Sequence, residues 1–437
     1  MSDGPRPGGV DMGAGTRVSP TLLSRGVSIR EGRTYIHGIA VADLAEEFGT
    51  PVFIYDAAHI RAEVEAAKEA ADWQVAYASK AFLCRELARI MDELGVHMDV
   101  ASGGELYVAL SAGFDPSRIV FHGNNKSVAE IEFGVAKGVG LFVLDSVAEI
   151  SRLEKVAETA GIRQPVLVRV TPGVEAHTHE YVMTGQEDSK FGFSLASGAA
   201  EAALGMVKSS RWLDFVGIHA HIGSQIFLLD SYSKEVDALA TLVEAHSPRL
   251  LNLGGGLGVA YVSGEESPGF DAWASQLYAA LARNGIGRDI RVMVEPGRSF
   301  VAQAAMTVYR VGTVKRLEGL RTYVSVDGGM SDNPRPVLYG SGYEAFLPEA
   351  ADAERDQVAT IVGKHCESGD ILIRDAILPA SLEEGDLLAT PVTGAYGYSM
   401  ASNYNRVPRP PVIFVDESGA RLAIRGENFE DMVRLEA

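Results

Sequence analysis

Lys80 stands at the end of Tyr77-Ala78-Ser79-Lys80, closing an apolar run from Trp73 to Ala78 that reads as a buried strand. A lysine in that place is either a solvated charge or a nucleophile. A desolvated amine has a lowered pKa and condenses with a carbonyl. Leu253-Gly254-Gly255-Gly256-Leu257-Gly258 follows a second apolar run, where glycine lets backbone N–H groups close around an anion. The register supplies no G-x-G-x-x-G, and no G-x-x-x-x-G-K-[ST] loop occurs, so a single phosphate is favoured over NAD or ATP.

His219-Ala220-His221 places two imidazoles on one face of a strand, followed by Ile222-Gly223-Ser224. Three readings compete: a satisfied core pair, a zinc site, or His221 lying flat on an aromatic cofactor while Ser224 donates to its phosphate. The cofactor reading ranks first, because a metal leaves Lys80 and the glycine run unexplained. Glu295-Pro296-Gly297-Arg298 closes the last such strand. Its carboxylate is an ion-pair partner of Arg298 or, beside a pyridine ring, the group that keeps the ring nitrogen protonated and the ring an electron sink.

The elements that must position these residues follow a rhythm. Strand-like runs end at Lys80, Ala101, His122, Asp145, Thr171, His221, Gly254 and Glu295, and helical segments such as Cys84–Leu94, Gly103–Ala112, Ser127–Lys137, Ser146–Ala160 and Ser231–His246 lie between them. About eight such units predict a (β/α)8 barrel of the α/β class over residues 56–305, with a doubly wound sheet as the alternative. Barrel chemistry sits at the C-terminal ends of strands. Those ends here carry Lys80, Asp99, His122, Asn124, His221, the glycine run and Glu295.

After residue 305 the pattern becomes short strands separated by turns. It predicts a mostly-β sandwich or barrel domain over 306–437, beginning with a strand from Val301 to Val314 and joined by N-terminal strands within 26–55. Residues 1–25 are expected to be a disordered leader.

The chain has 437 residues, 46% of them hydrophobic, a formal charge of -19 and two cysteines, Cys84 and Cys366. The acidity argues against nucleic acid, no apolar run is long enough to cross a bilayer, and the cysteine count excludes a disulfide scaffold and points to the cytoplasm.

Taken together, the motifs at Lys80, His221–Ser224, Gly254–Gly258, Glu295–Arg298 and His365-Cys366-Glu367-Ser368-Gly369-Asp370 resemble the alanine-racemase-fold (fold-type III) decarboxylases that use pyridoxal 5'-phosphate. More narrowly, His179-Glu180-Tyr181, Thr184-Gly185 and Asp188-Ser189-Lys190-Phe191-Gly192-Phe193 are similar to a segment of the diaminopimelate decarboxylase family. Lys364 departs from that family, many members of which carry proline there.

The resemblance implies Lys80 as the lysine that binds the cofactor aldehyde and His221 as the ring-stacking imidazole. It implies Asp99 beside that linkage, and Gly254, Gly255, Gly256, Gly258, Ser224, Gly297, Arg298 and Tyr396 around the cofactor, with Glu295 on its ring nitrogen. Arg298, Arg335, Tyr339 and Tyr396 would bind substrate, with Glu367 receiving the remote ammonium. Cys366 would arrive from the partner subunit of a homodimer to supply a proton; Tyr398 is read as core.

The implied reaction, the last step of lysine biosynthesis, converts meso-2,6-diaminopimelate to L-lysine and CO2. Two arginines suit a second carboxylate, which ornithine and arginine do not offer. Decarboxylation of those amino acids is the near alternative, and a barrel metal hydrolase using His219 and His221 the distant one; no resident metal is expected.

Overall fold

The computed structural model describes residues 18–174 and 189–437. His179-Glu180-Tyr181, Thr184-Gly185 and Asp188 lie outside the described residues.

Eight parallel strands form the centre: β1 (Gln74–Ala78), β2 (His97–Val100), β3 (Ile119–Phe121), β4 (Leu141–Leu144), β5 (Gln164–Thr171), β6 (Leu213–His219), β7 (Leu250–Asn252) and β8 (Arg291–Val294). Each pairs with the next, and β8 returns to β1 through Met293↔Gln74 and Val294↔Val75, which closes the barrel. The open doubly wound sheet is thereby ruled out. Strands of such a sheet are covered on both faces, which is why they read as continuous apolar runs rather than as alternation. Ala76, Val120, Val143, Leu167, Val216, Leu250 and Met293, from seven of the eight strands, form a compact cluster of their own. The larger cluster of buried side chains joins the strands to the surrounding helices.

Local chemistry sets the strand-to-helix turns. Ser102, Ser127 and Ser146 accept hydrogen bonds from the backbone N–H of the N3 residues Glu105, Glu130 and Glu149. Such a serine satisfies one of the donors a helix start leaves open, and Ser127 with Glu130 completes a capping box. Gly138 and Gly161 end two of these helices in the left-handed region, at φ 77° and 67°.

The second unit is an eight-stranded sheet organised around the long strand Ala305–Leu317. One end of that strand pairs with Arg321–Val326, and the other lies between Val52–Asp56 and Leu387–Pro391. Val52–Asp56, buried at every residue, also pairs with Val412–Asp416, so a segment that precedes the barrel is an interior strand of the β unit.

Three details differ from the sequence reading. Val18 and Leu22 are buried, so residues 18–25 are packed rather than a free leader; Val18 and Leu22, the latter in the short 3-10 turn Pro20–Leu22, anchor them. The N-terminal strands expected within 26–55 are interrupted: His37 and Gly38, at φ 48° and 83°, turn the chain between Arg33–Ile36 and Ile39–Ala40, and a helix starts at Val41. The strand expected from Val301 begins at Ala305, because Arg298–Val301 winds into a short helix.

Candidate active site

A cavity of about 580 Å³ opens at the C-terminal ends of the barrel strands. It is lined by Lys80, Asp99, His221, Ser224, Gly255, Gly256, Glu295, Gly297, Arg298, Arg335, Tyr339 and Tyr396, twelve of the residues selected from sequence. Gly254 and Gly258 stand beside the lining rather than in it. Cys366 and Glu367 are exposed outside the cavity, with the Cys366 N–H held by Asn405 Oδ1 at 2.9 Å.

Lys80 occupies the turn directly after β1, and its side chain is exposed to the cavity. Burial pulls its pKa down, but Tyr396, Asp99 and Glu295 outweigh that pull and the net shift is upward. The lowered value expected from sequence is therefore not found: the surrounding acids hold an ammonium here. The carbonyl of Ala81, next to Lys80, accepts from Tyr396 N at 2.8 Å and from Ser399 Oγ at 3.1 Å. These bonds fasten the β unit to the lysine turn and present Tyr396, which adopts a left-handed φ of 59°, to the cavity.

Glu295 follows β8 and is the hub of a buried network. Its Oε1 accepts from His122 Nε2 at 2.8 Å and from Asn252 Nδ2 at 2.7 Å, while Oε2 accepts from His219 Nε2 at 3.2 Å. Burial alone raises a carboxyl pKa; here His122 and His219 reverse the effect and hold Glu295 well below its ordinary value. Burial lowers His122 too, yet Asp99 and Glu295 raise it above its ordinary value. Burial and the Glu295 charge push Asp99 up to about 6, against the pull of His122 and Lys80. His219 drops to about 4, chiefly through burial, and its Nδ1 has no hydrogen-bond partner among the described residues.

The loops after β6, β7 and β8 meet backbone to backbone. A Cβ on Gly255 would fall 2.0 Å from the Glu295 carbonyl oxygen, and one on Gly256 would fall 2.2 Å from that of Gly223. Only glycine allows this approach. Gly255 N–H points to His221 Nδ1 at 3.3 Å, and burial, with Lys80 and Arg169 nearby, keeps the His221 imidazole well below its ordinary pKa and so neutral.

The two imidazoles of the distant metal alternative, His219 and His221, face different partners. His219 is turned to Glu295 and His221 to the glycine loop. His122, His219 and Glu295 do bring ligand-type atoms within 4.8 Å of one another, but both imidazole Nε2 atoms are hydrogen-bonded to the carboxylate.

Arg169, Asn252, Tyr261 and Tyr343 escaped the sequence reading. Arg169 and Asn252 were detectable as lone polar residues within the apolar runs Leu167–Val170 and Leu250–Leu253. Tyr261 and Tyr343 lie in loops where no periodicity marks them.

A cofactor can be tested against this donor set. Glu295 Oε2 accepts one hydrogen bond and so retains an acceptor position for a ring N–H. The neutral His221 offers a flat face, and Ser224, Arg298 and the glycine loop gather phosphate-binding groups at one side of the amine. The residues fit pyridoxal 5'-phosphate. Residues 57–302 match the pyridoxal-binding domain of the pyridoxal-dependent decarboxylases, which defines the class of protein that this fold and site make.

Sequence relatives narrow that class. The diaminopimelate decarboxylase of Halalkalibacterium halodurans is 45% identical over 93% of this chain and 95% of its own length. That of Mycobacterium tuberculosis is 44% identical over 96% and 98%. The crystal structure of the M. jannaschii enzyme in complex with L-lysine superposes with a TM-score of 0.88 at 32% identity, covering 95% of this chain and 98% of that one. The chain belongs to the diaminopimelate decarboxylase family.

Proposed function

We propose that this protein decarboxylates meso-2,6-diaminopimelate to L-lysine and CO2 with pyridoxal 5'-phosphate, as a cytoplasmic homodimer whose sites are shared between subunits. One observation carries the choice of substrate. Arg298 and Arg335, both buried at the cavity wall, are paired with tyrosines and a serine and with no carboxylate among the described residues. Two buried guanidiniums without an acid call for anions from the ligand, and a planar fork matches a carboxylate. The distal carboxylate of the substrate engages both, and Arg298 also lends its charge to the cofactor phosphate. Ornithine has no such group.

The cofactor, when bound, supplies a conjugated sink for the electron pair that the departing carboxylate leaves behind. The chain's own residues do the rest. Lys80 Nζ would hold the cofactor aldehyde, and its amine would accept or return a proton beside it. Glu295, kept anionic by two imidazoles, holds negative charge opposite the ring nitrogen. His221 supports one ring face; Ser224, Gly255, Gly256, Arg298 and Tyr396 hold the phosphate. Arg298, Arg335 and Tyr339 would fix the distal end of the substrate and so select which carboxyl reacts. Cys366 Sγ delivers the proton to the carbon, and Glu367 receives the distal ammonium. Because both are exposed away from their own cavity, these two act in the partner subunit's site.

The test is incubation with cofactor and diaminopimelate, lysine or ornithine, with CO2 and amine products measured. L-lysine from diaminopimelate supports the proposal. CO2 from ornithine with none from diaminopimelate would overturn it.

A further inference from the structure

We propose that Tyr261, with Tyr343 behind it, is a positioning residue that sets the angle between the two arginines of the substrate clamp. The inference rests on the reading of the site given above. Tyr261 is 4% exposed and bridges both guanidiniums. Its hydroxyl accepts from Arg298 at 2.7 Å, and its ring centroid lies 4.1 Å from the Arg335 guanidinium carbon. Tyr343 meets the Tyr261 ring edge to face at 5.3 Å and accepts from Arg335 at 2.6 Å. The Tyr261 backbone is itself fixed, its N–H donating to Glu265 Oε2 at 2.8 Å.

The choice of phenol has a physical reason. A buried guanidinium needs a partner, and the usual partner is an acid. An acid here would neutralise the arginines and compete with the substrate carboxylate. A tyrosine holds one guanidinium by its hydroxyl and the other by its ring face, through a cation–π contact, while leaving both positive charges to the ligand. Arg298 has further neutral partners, the Ser224 hydroxyl at 2.9 Å and the face of Tyr396 at 4.6 Å.

Tyr261→Phe keeps the ring beneath Arg335 and removes only the hydroxyl at Arg298; Tyr343→Phe removes the hydroxyl at Arg335. A hydrogen bond to a charged group is worth roughly tenfold in affinity or more. In each variant, KM for diaminopimelate should rise about tenfold while kcat falls much less.

Inhibition provides the readout that packing alone would not move. L-lysine keeps a carboxylate for the clamp, and cadaverine, its decarboxylated counterpart, has none. Lysine inhibition should weaken by the same factor as KM, with cadaverine inhibition unchanged. Equal weakening of both inhibitors, or no change in either, would overturn the inference. Tyr343→Phe carries the same comparison should Tyr261→Phe not fold. A wild-type enzyme that makes no lysine from diaminopimelate would defeat the proposed function separately, since lysine and cadaverine can also be titrated onto the cofactor-loaded protein and their affinities compared without turnover.

Discussion

Replacing Glu295 by glutamine preserves the shape of the residue and removes its charge. The carboxylate accepts from His122, Asn252 and His219 at 2.8, 2.7 and 3.2 Å. A glutamine oxygen can retain part of this set, but its NH2 group must face one of the donors. One of the two anions that raise His122 above its ordinary pKa is lost and Asp99 alone remains beside it, so the imidazole holds its proton less firmly.

The catalytic effect follows from the lost charge opposite the cofactor ring. A charge-assisted hydrogen bond contributes about 1.5–3 kcal/mol, and each 1.4 kcal/mol is about tenfold in rate, so kcat should fall by roughly one to two orders of magnitude. KM should change by less than about threefold, because Glu295 acts as charge builds and not on the substrate's distal end. The assay is CO2 release at saturating cofactor and diaminopimelate, with cofactor occupancy measured by absorbance. A variant fully loaded with cofactor and within about threefold of wild-type kcat would refute the role given to this carboxylate.

Other predictions concern the clamp, the subunit interface and the acid limb of stability. Arg335→Ala should raise KM for diaminopimelate by about a hundredfold, as expected for losing a charge-assisted pair, with a much smaller effect on a substrate that lacks a second carboxylate; equal effects on both would remove the clamp. Lys80→Ala and Cys366→Ala should each be nearly inactive alone. Mixed so that subunits exchange, they should recover roughly a quarter of wild-type activity, since half the dimers then hold one intact site. No recovery after proven exchange would place Cys366 outside the shared site. Burial lowers His59 from 6.5 to about 4, so the folded state binds fewer protons than the unfolded state between those values. Stability is therefore fully present above pH 6.5 and is lost as pH falls through about 4. His59→Gln should reduce the slope of unfolding free energy against pH in that window by up to ~1.4 kcal/mol per pH unit, measured by denaturant titration; an unchanged slope would show that another group carries it.

The barrel was legible because buried parallel strands and capped helices leave strong local signals. All eight expected strand ends fall at the observed ends or within two residues of them. Lys80, His221 and Glu295 could be selected because a polar residue closing an apolar strand is costly unless used. The network around Glu295 was not legible as a network. His122, Asn252 and His219 come from three different strands or the residue just after one, and only closure of the barrel brings them to one carboxylate. Local pattern also hid the sign of the Lys80 shift, since that depends on Tyr396, far away in the chain, as well as on Asp99 and Glu295. Tyr261 and Tyr343 lie in loops, where alternation carries no information.

The account depends on Lys80 carrying the cofactor. Purified protein reconstituted with pyridoxal 5'-phosphate, reduced with borohydride, digested and sequenced by mass spectrometry tests this directly. The predicted result is a pyridoxyl adduct on the peptide containing Tyr77-Ala78-Ser79-Lys80, with its visible absorbance lost on reduction. An adduct on any other lysine, or none after reconstitution, would contradict it.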